Sequence, residues 1–373
     1  MEFIDLKAQY EHLKDRIDSR IQKVLQHGHY IMGPEVQELE QKLATYVGVK
    51  HAITCANGTD ALQLAMMVLG IEEGDAVFVP TFTFFATAEV VAFAKATPIF
   101  VDSDSRTFNI DPEKLEAAIL RVIAEGKLLP KAIIAVDLFG LPADYPKIEA
   151  IAEKYKLKLI EDAAQGFGGS INGKKAGSFG DIATTSFFPA KPLGCYGDGG
   201  AVFTNNDGFA ELLRSYRVHG KGVDKYDNVR IGINSRLDTI QAAILLEKLA
   251  EFPTELELRN EVARAYTSAL CEKFITPLVP VEYVSSWAQY TLVSAGREAL
   301  MACLKGKRIP SMIYYSKCMH QQTAFLDLAQ KELAVADGLS GRVFSLPMHP
   351  YLQEHDLARI CETLLNYKCD DAR

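Results

Sequence analysis

Lys191 is the residue of this sequence that is the clearest candidate for covalent chemistry. It lies in segment 186–194, where Phe, Pro and Gly residues surround it and favour a tight loop over a solvated helix. A lysine whose amine is kept neutral can form a Schiff base with an aldehyde cofactor. An isolated lysine in a loop is far more often an ordinary surface residue, so this interpretation depends on what other segments supply.

Asp162 is a second candidate, because it ends the apolar run 157–162. A carboxylate at the end of a buried strand is costly unless it has a partner. A pyridinium nitrogen would be such a partner, and the aspartate would keep that nitrogen protonated so that the ring withdraws electrons. The alternative is an N-cap for a helix that follows the strand.

Two further segments could hold the rest of such a cofactor. Segment 56–62 passes from a strand-like stretch into an apolar-periodic helix, and it contains Gly58 and Thr59. A phosphate could bind here, because the helix offers free amides, Thr59 offers a hydroxyl and Gly58 permits close approach of the backbone. The same residues also fit an ordinary helix cap. In the aromatic segment 80–87, one ring could stack on a flat cofactor, or all of them could be core.

Short apolar runs that alternate with amphipathic stretches would position these residues. The strand candidates are 76–80, 97–102, 132–136, 157–162 and 201–204, with helical patterns between them. Strands that alternate with helices predict a mostly parallel α/β sheet. In such a sheet ligands bind at the carboxyl ends of the strands, where Asp162 is expected to lie.

The last third of the chain is less regular. We predict a helix over 237–249, a break at 251–253, a helix near 256–274, a strand at 289–293 and a closing helix near 356–367. The domain boundary is placed near residue 250. This gives a large domain of residues 1–250 and a small C-terminal domain of residues 251–373.

Composition argues against several other classes of protein. The net charge of −8 lacks the basic excess of a duplex nucleic-acid binder. The N-terminus has no signal-peptide pattern, and no apolar run is long enough to cross a bilayer. Seven cysteines without a C-x-x-C pair indicate reduced thiols and a cytoplasmic location, with Cys55 and Cys195 as small apolar residues. The scattered histidines favour no metal site.

Together these segments resemble the DegT family of nucleotide-sugar aminotransferases, which are fold-type I enzymes dependent on pyridoxal phosphate (PLP). The likeness covers nearly the whole chain. The motifs that carry it are FIDL (3–6), GHYIMGP (28–34), EDAAQ (161–165), SFFPAK (186–191), GDGG (197–200), RVHG (217–220), GINSRL (232–237), YY (314–315), His320 and SLPMHP (345–350).

The resemblance implies a large domain with a mostly parallel central sheet flanked by helices, and a smaller C-terminal α+β domain. It implies that Lys191 carries PLP as a Schiff base, that Asp162 pairs with the ring nitrogen and that Gln165 hydrogen-bonds near the ring hydroxyl. Phe84 would stack on the ring. The residues that would hold the phosphate are Gly58, Thr59, Ser186 and, from the second subunit of a homodimer with a shared active site, Asn234.

The implied reaction moves an amino group from L-glutamate to a keto group of a nucleotide-linked sugar, with pyridoxamine phosphate as the intermediate form of the cofactor. Segments 55–60, 191–196 and 345–351 look most like family members that act on UDP-2-acetamido-3-oxo-glucuronate in surface-polysaccharide biosynthesis. The chain departs from its relatives at Ser316 and Cys318, where they usually have prolines, and this would loosen the loop. Four residues look like contacts to sugar or amino acid: Tyr30, His219, Arg236 and His320.

Three alternatives remain. A PLP-dependent sugar dehydratase of the same family would have histidine in place of the lysine, whereas this chain keeps Lys191. A non-catalytic sensor or regulator on the same fold would be expected to lack Lys191 or Asp162, and both are present. The nearest alternative substrate is another keto nucleotide sugar, such as a dTDP-linked 3-keto or 4-keto deoxysugar.

Overall fold

The computed structural model describes residues 1–224, 226–328 and 333–367. Its helices are α1 (Leu6–His27), α2 (Pro34–Val47), α3 (Gly58–Leu69), α4 (Ala86–Phe93), α5 (Pro112–Glu125), α6 (Tyr145–Tyr155), α7 (Asp207–Tyr216), α8 (Thr239–Leu270), α9 (Arg297–Gly306), α10 (Ala334–Ser340) and α11 (Glu354–Asn366). Its strands are β1 (His51–Cys55), β2 (Asp75–Pro80), β3 (Thr97–Val101), β4 (Leu129–Val136), β5 (Lys158–Asp162), β6 (Ser170–Ile171), β7 (Lys174–Lys175), β8 (Ile182–Ser186), β9 (Gly200–Thr204), β10 (Tyr283–Val284), β11 (Tyr290–Val293) and β12 (Val343–Leu346).

A seven-stranded sheet forms the centre of the larger part of the chain. Its strand order is β1-β9-β8-β5-β4-β2-β3, and β9 runs antiparallel to both of its neighbours while the other pairs are parallel. Each of the five predicted strands is present, within a few residues of its predicted ends. The interior strands are buried and rich in Ile, Val and Ala, as a sheet covered on both faces requires. The predicted fold class is confirmed.

Helices cover both faces of this sheet. Helices α3, α4 and α7 contribute to one core, and α5 and α6 to another. Side-chain caps fix where several of these helices begin: Asn57 accepts from the amide of Asp60 (2.8 Å), and Asp111 accepts from the amide of Glu113 (2.8 Å). Because each such helix follows a strand, helix N-termini collect at the carboxyl edge of the parallel strands.

The C-terminal part has a core of its own. Strands β11 and β12 pair in antiparallel fashion, and α9, α11 and the second half of α8 pack with them around Tyr266, Tyr290 and Phe344. The predicted strand at 289–293 and the closing helix are therefore confirmed. The predicted domain boundary near residue 250 falls inside α8, which runs between the two cores.

The predicted helix break at 251–253 is wrong, because α8 continues from Thr239 to Leu270 with Pro253 inside it. Helix α1 lies alongside on both sides of the proline. Its side chains donate to Glu247 before the proline (2.6 Å) and to Glu255 after it (2.8 Å). Such contacts help to offset the cost of about 3 kcal/mol that an interior proline imposes on a helix. No helix in the described part of the chain is both long and apolar enough to span a membrane.

Candidate active site

Lys191 lies in the turn between β8 and β9, beyond the carboxyl end of β8. Its amide donates to the carbonyl of Phe188 (2.9 Å), which closes the turn. Gly194 permits this tight path, since a Cβ atom there would lie 2.5 Å from the carbonyl oxygen of Phe188. Burial lowers the pKa of Lys191 from its usual value, and the carboxylate of Asp162 partly opposes that shift. The surroundings therefore favour the neutral amine that reaction with an aldehyde requires.

Asp162 is the last residue of β5 and is 6% exposed. Its carboxylate accepts from the amide of Ala164 (3.1 Å) and the hydroxyl of Thr87 (3.3 Å). Burial raises the pKa of Asp162, while the Ala164 amide and the charge of Lys191 lower it. The alternative of an N-cap does not hold, because residues 163–169 form turns and no helix. The carboxylate is thus placed where a cationic ring nitrogen would satisfy it.

Gly58 and Ser186 bring the start of α3 against the end of β8. A Cβ atom at residue 58 would lie 2.7 Å from Cβ and 3.1 Å from Oγ of Ser186, so glycine is required for this approach. The side chain of Asn57 accepts from the amide of Asp60, and its carbonyl accepts from the amide of Ala61, so among the described residues neither takes up the first amides of the helix, at Gly58 and Thr59, which point out of its end. A positive helix end with free amides and two hydroxyls nearby is suited to a phosphate.

Phe84 and Gln165 both contact Tyr315. Phe84 is 54% exposed, unusually open for a phenylalanine beside a core, and its ring centroid lies 6.2 Å from that of Tyr315. Gln165 accepts from the amide of Phe139 (2.7 Å) and donates to the hydroxyl of Tyr315 (3.1 Å). The side chain of Gln165 is therefore fixed at both ends, which positions it but occupies part of its hydrogen-bonding capacity.

The site residues that sequence reasoning missed are Thr87 and Tyr315. Both lie in segments that drew attention for other reasons, Thr87 for its aromatic neighbours and Tyr315 for its place in a motif. Their roles arise from contacts to Asp162 and Gln165, which are 75 and 150 residues away in the sequence. No local pattern carries that information.

His320 is hydrogen-bonded to Thr81, which follows β2 at the carboxyl edge of the sheet. Its Nδ1 lies 2.7 Å from the hydroxyl of Thr81, and its Nε2 lies 3.1 Å from the carboxylate of Asp337. The amide of Met319 also donates to the carbonyl of Thr81 (2.7 Å). Loop 314–321 is thereby attached to the chain just before Phe84, as a substrate-contacting loop would need to be.

The remaining candidate residues, Tyr30, His219, Asn234 and Arg236, lie on segments that contact one another near the start of α8. The carbonyl of Tyr30 accepts from the amide of Thr239 (2.9 Å), and Tyr30 is 48% exposed. Asn234 pairs with Val218, and both Asn234 and His219 are exposed. Arg236 is partly buried and has no carboxylate partner among the described residues.

The structure therefore brings together the predicted cofactor residues of one chain but not Asn234. Within the described ranges, no hydrogen bond or ion pair joins Lys191 or Asp162 to the four substrate candidates or to Asn234. Ser235, between Asn234 and Arg236, is buried and accepts from the amide of Ala56 (3.0 Å), so this segment lies against the turn that precedes α3. In extended chain, a neighbour of an inward-facing residue faces outward, consistent with the exposure of Asn234.

Comparison with known proteins adds a family to this geometry. A profile of the DegT/DnrJ/EryC1/StrS aminotransferase family matches residues 11–365. UDP-2-acetamido-2-deoxy-3-oxo-D-glucuronate aminotransferase of Pseudomonas aeruginosa is 50% identical over 98% of this chain and 100% of its own length.

Two solved structures are similar over most of their length. A DegT/DnrJ/EryC1/StrS aminotransferase from Brucella abortus superposes with a TM-score of 0.97 at 54% identity, covering 98% of each chain. A Bacillus subtilis protein solved with bound pyridoxamine phosphate (PMP) superposes with a TM-score of 0.87 at 30% identity, covering 95% of this chain and 81% of its own.

Proposed function

The chain belongs to the DegT/DnrJ/EryC1/StrS aminotransferase family, and from this premise we propose that it transfers an amino group from glutamate to the keto carbon of a UDP-linked 3-oxo sugar that carries a carboxylate. The observation that carries the proposal is the pairing of the buried Asp162 with the partly buried Lys191 beside a helix N-terminus, in a chain half identical to an enzyme of that specificity.

The residues present fit PLP as the cofactor. Asp162 is buried without a full cationic partner, the pKa of Lys191 is lowered, and the Gly58–Ser186 approach leaves a helix end open to a phosphate. When bound, PLP supplies an aldehyde carbon that takes up an amino group and a ring that withdraws electrons from it. We assign Lys191 as its covalent attachment and Asp162 as the partner of its ring nitrogen.

Lys191 has a second task in this proposal. Once glutamate has displaced its amine, Lys191 is free to take the proton from the donor's α-carbon, and it returns a proton at the sugar carbon in the second half of the reaction. Asp162 holds a proton on the ring nitrogen throughout. Thr87 and Ala164 fix the carboxylate by their hydrogen bonds, so that the charge faces one direction.

A uronic carboxylate on the sugar would meet Arg236. This guanidinium lacks an ion-pair partner in the described parts of the chain, and Arg is suited to bidentate carboxylate recognition. His219 and His320 are further candidate contacts. The identity of the sugar rests on the Pseudomonas aeruginosa relative and on this unpaired cation.

We also propose a homodimer in the reducing cytoplasm. Three apolar side chains shortly before Asn234 project into solvent, Val223, Val229 and Ile231, with Val223 fully exposed and Ile231 90% exposed, and a second copy would cover them. Asn234 is close by in sequence and would reach the phosphate of the other chain. All six cysteines that the structure describes are free, as a reducing compartment requires.

The direct test uses the enzyme in its PMP form and a panel of keto nucleotide sugars. Return of the PLP absorption band reports transfer of the amino group to the acceptor. We expect the 3-oxo uronate linked to UDP to react fastest, ahead of the same sugar without its carboxylate and of neutral 4-keto 6-deoxy sugars. Faster reaction of a neutral acceptor would contradict the proposed substrate and leave the aminotransferase assignment standing.

Arg236 provides a matched pair of variants for the carboxylate. Arg236→Lys keeps the charge but loses the planar fork, and Arg236→Gln loses both. The KM for the uronate acceptor should rise in both variants and more in the second, whereas the KM for the neutral 3-oxo sugar should change little. Equal effects on both acceptors would mean that Arg236 does not contact the carboxylate.

A further inference from the structure

Three side chains with metal-binding atoms meet at loop 314–321. Cys318 and His320 belong to this loop, and Asp337 comes from α10. The thiol sulfur, an imidazole nitrogen and a carboxylate oxygen all lie within 4.8 Å of one another, the one such group in the ranges that the structure describes. The spacing Cys-x-His can be seen in the sequence, but the closeness of Asp337 to these two residues cannot. For this reason the sequence favoured no metal site.

The imidazole of His320 is already held as a ligand would be. Its Nε2 faces Asp337 at 3.1 Å, while its Nδ1 lies 2.7 Å from the hydroxyl of Thr81. A hydroxyl can donate or accept, so Thr81 can accept from Nδ1–H and leave the Nε2 lone pair free for a cation. Protein metal sites commonly fix the second nitrogen of a histidine ligand by such a bond.

Asp337 and Cys318 are the other two candidate ligands, and both are hydrogen-bonded to Gln321. Gln321 donates to the carboxylate of Asp337 (2.6 Å) and accepts from the amide of Cys318 (3.0 Å), so one side chain orients both ligands. The side chain of Asp337 is 47% exposed, which gives a cation a path from solvent. The sulfur of Cys318 is buried, and burial raises the pKa of this thiol to about 12.

We propose that Cys318, His320 and Asp337 form a binding site for a thiophilic divalent cation of the Zn²⁺ class, with water as the fourth ligand. Sulfur and imidazole ligands favour Zn²⁺ and Co²⁺ over Mg²⁺ and Ca²⁺, which prefer oxygen. In a tetrahedral site with Zn–S of about 2.3 Å and Zn–N of about 2.1 Å, the two ligand atoms lie roughly 3.6 Å apart. Nε2 of His320 and the carboxylate of Asp337 already lie 3.1 Å apart, so the sulfur of Cys318, which lies within 4.8 Å of both residues' ligand atoms, is the atom that needs to approach by about 1 Å.

Binding exchanges one bond for another. The S–H bond of Cys318 breaks as the metal–sulfur bond forms, and the proton leaves to solvent. Nε2 of His320 releases the proton that faces Asp337, and Nδ1 takes up a proton that Thr81 accepts, so the imidazole stays neutral while Nε2 and the carboxylate each bind the metal.

The test is equilibrium dialysis of the PLP-loaded enzyme, free of affinity tags, against Zn²⁺ and separately against Co²⁺. We expect about one metal per chain, with the visible d–d bands of tetrahedral cobalt. Cys318→Ser should weaken the affinity at least tenfold and remove the sulfur-to-cobalt absorption, and Asp337→Asn should weaken it similarly.

Matched controls lie outside the group. Cys361→Ser changes another buried cysteine and Asp327→Asn another acid, and both should bind metal as the wild type does. An unchanged PLP absorption spectrum shows that each variant is folded. Stoichiometric binding that survives Cys318→Ser, or a wild-type enzyme that binds no metal at stoichiometric level, would overturn the proposal.

Discussion

The carboxylate of Asp162 and the amine of Lys191 lie close enough for each to shift the pKa of the other, although Asp162 ends β5 and Lys191 lies in the turn after β8. Burial acts on both in the direction of neutrality, raising the pKa of Asp162 and lowering that of Lys191. Each charge in turn stabilises the other. A cofactor bound between them would replace this weak mutual compensation by a covalent link to one residue and a charged partner for the other.

Replacing Asp162 by asparagine should reduce turnover by roughly 10²-fold or more, a loss typical for removal of a preorganised electrostatic partner. Asparagine preserves the shape and can still bond to Thr87, but it cannot stabilise a protonated ring nitrogen by charge. Single-turnover rates with glutamate measure the effect directly. Asp15→Asn, at an exposed position, is the control and should leave these rates unchanged. Wild-type rates in Asp162→Asn would mean that the carboxylate does not face the ring.

Gly58→Ala should weaken PLP binding about tenfold, equivalent to about 1.4 kcal/mol. The added methyl would lie 2.7 Å from Cβ of Ser186, so the helix end and the strand end must separate where the phosphate is expected. Titration of the apoenzyme with PLP measures the affinity. Gly306→Ala is the matched control, since a methyl there meets nothing within 4 Å. Equal affinities in the two variants would place the phosphate elsewhere.

His349 should make folding sensitive to acid. Burial, and secondarily the charge of Arg259, lower its pKa from 6.5 to about 4, and the residue is 3% exposed. Between these two values the unfolded chain binds a proton that the native chain does not, so stability falls as the pH falls. The loss should be about 1.4 kcal/mol per pH unit and roughly 3 kcal/mol in total.

The matching measurement is urea unfolding of the wild type, His349→Gln and His355→Gln at about pH 7 and about pH 4.5. His349→Gln should lose less stability on acidification than the wild type. His355, whose side chain is 79% exposed, serves as the control and should leave the difference unchanged. An identical acid response in His349→Gln and the wild type would show that His349 is protonated in the native state.

The proposed shared site predicts complementation between two inactive variants. Lys191→Ala and Asn234→Asp should each be inactive, the second because it sets a negative charge against the phosphate. Random exchange of subunits makes half of the dimers mixed, and each mixed dimer has one intact site, so about a quarter of wild-type activity should return. Mixing without subunit exchange should restore none. Inactive but verified heterodimers would show that Asn234 acts within its own chain.

Local patterns predicted most of the central sheet but not β8, and they made Asp162 and Lys191 candidates only in combination with other segments. Apolar runs marked β2 to β5, and Asp162 was recognisable at the end of one of them. Pro253 led to the wrong prediction of a helix break, because a local pattern does not show the contacts with α1 that stabilise α8 on both sides of the proline. Thr87, Tyr315 and Asp337 were missed for a similar reason: each acquires its role from a partner distant in sequence.

The most direct test of the central claim is to reduce the PLP-loaded enzyme with borohydride, which makes the link to the cofactor permanent, and to locate the label by peptide mass mapping. We expect one phosphopyridoxyl group per chain, on the peptide that contains Lys191. In Lys191→Ala the protein should still bind PLP, through Asp162 and the phosphate site, but should carry no label after reduction and show no turnover. A label on another lysine of the wild type, or normal turnover in Lys191→Ala, would contradict the account.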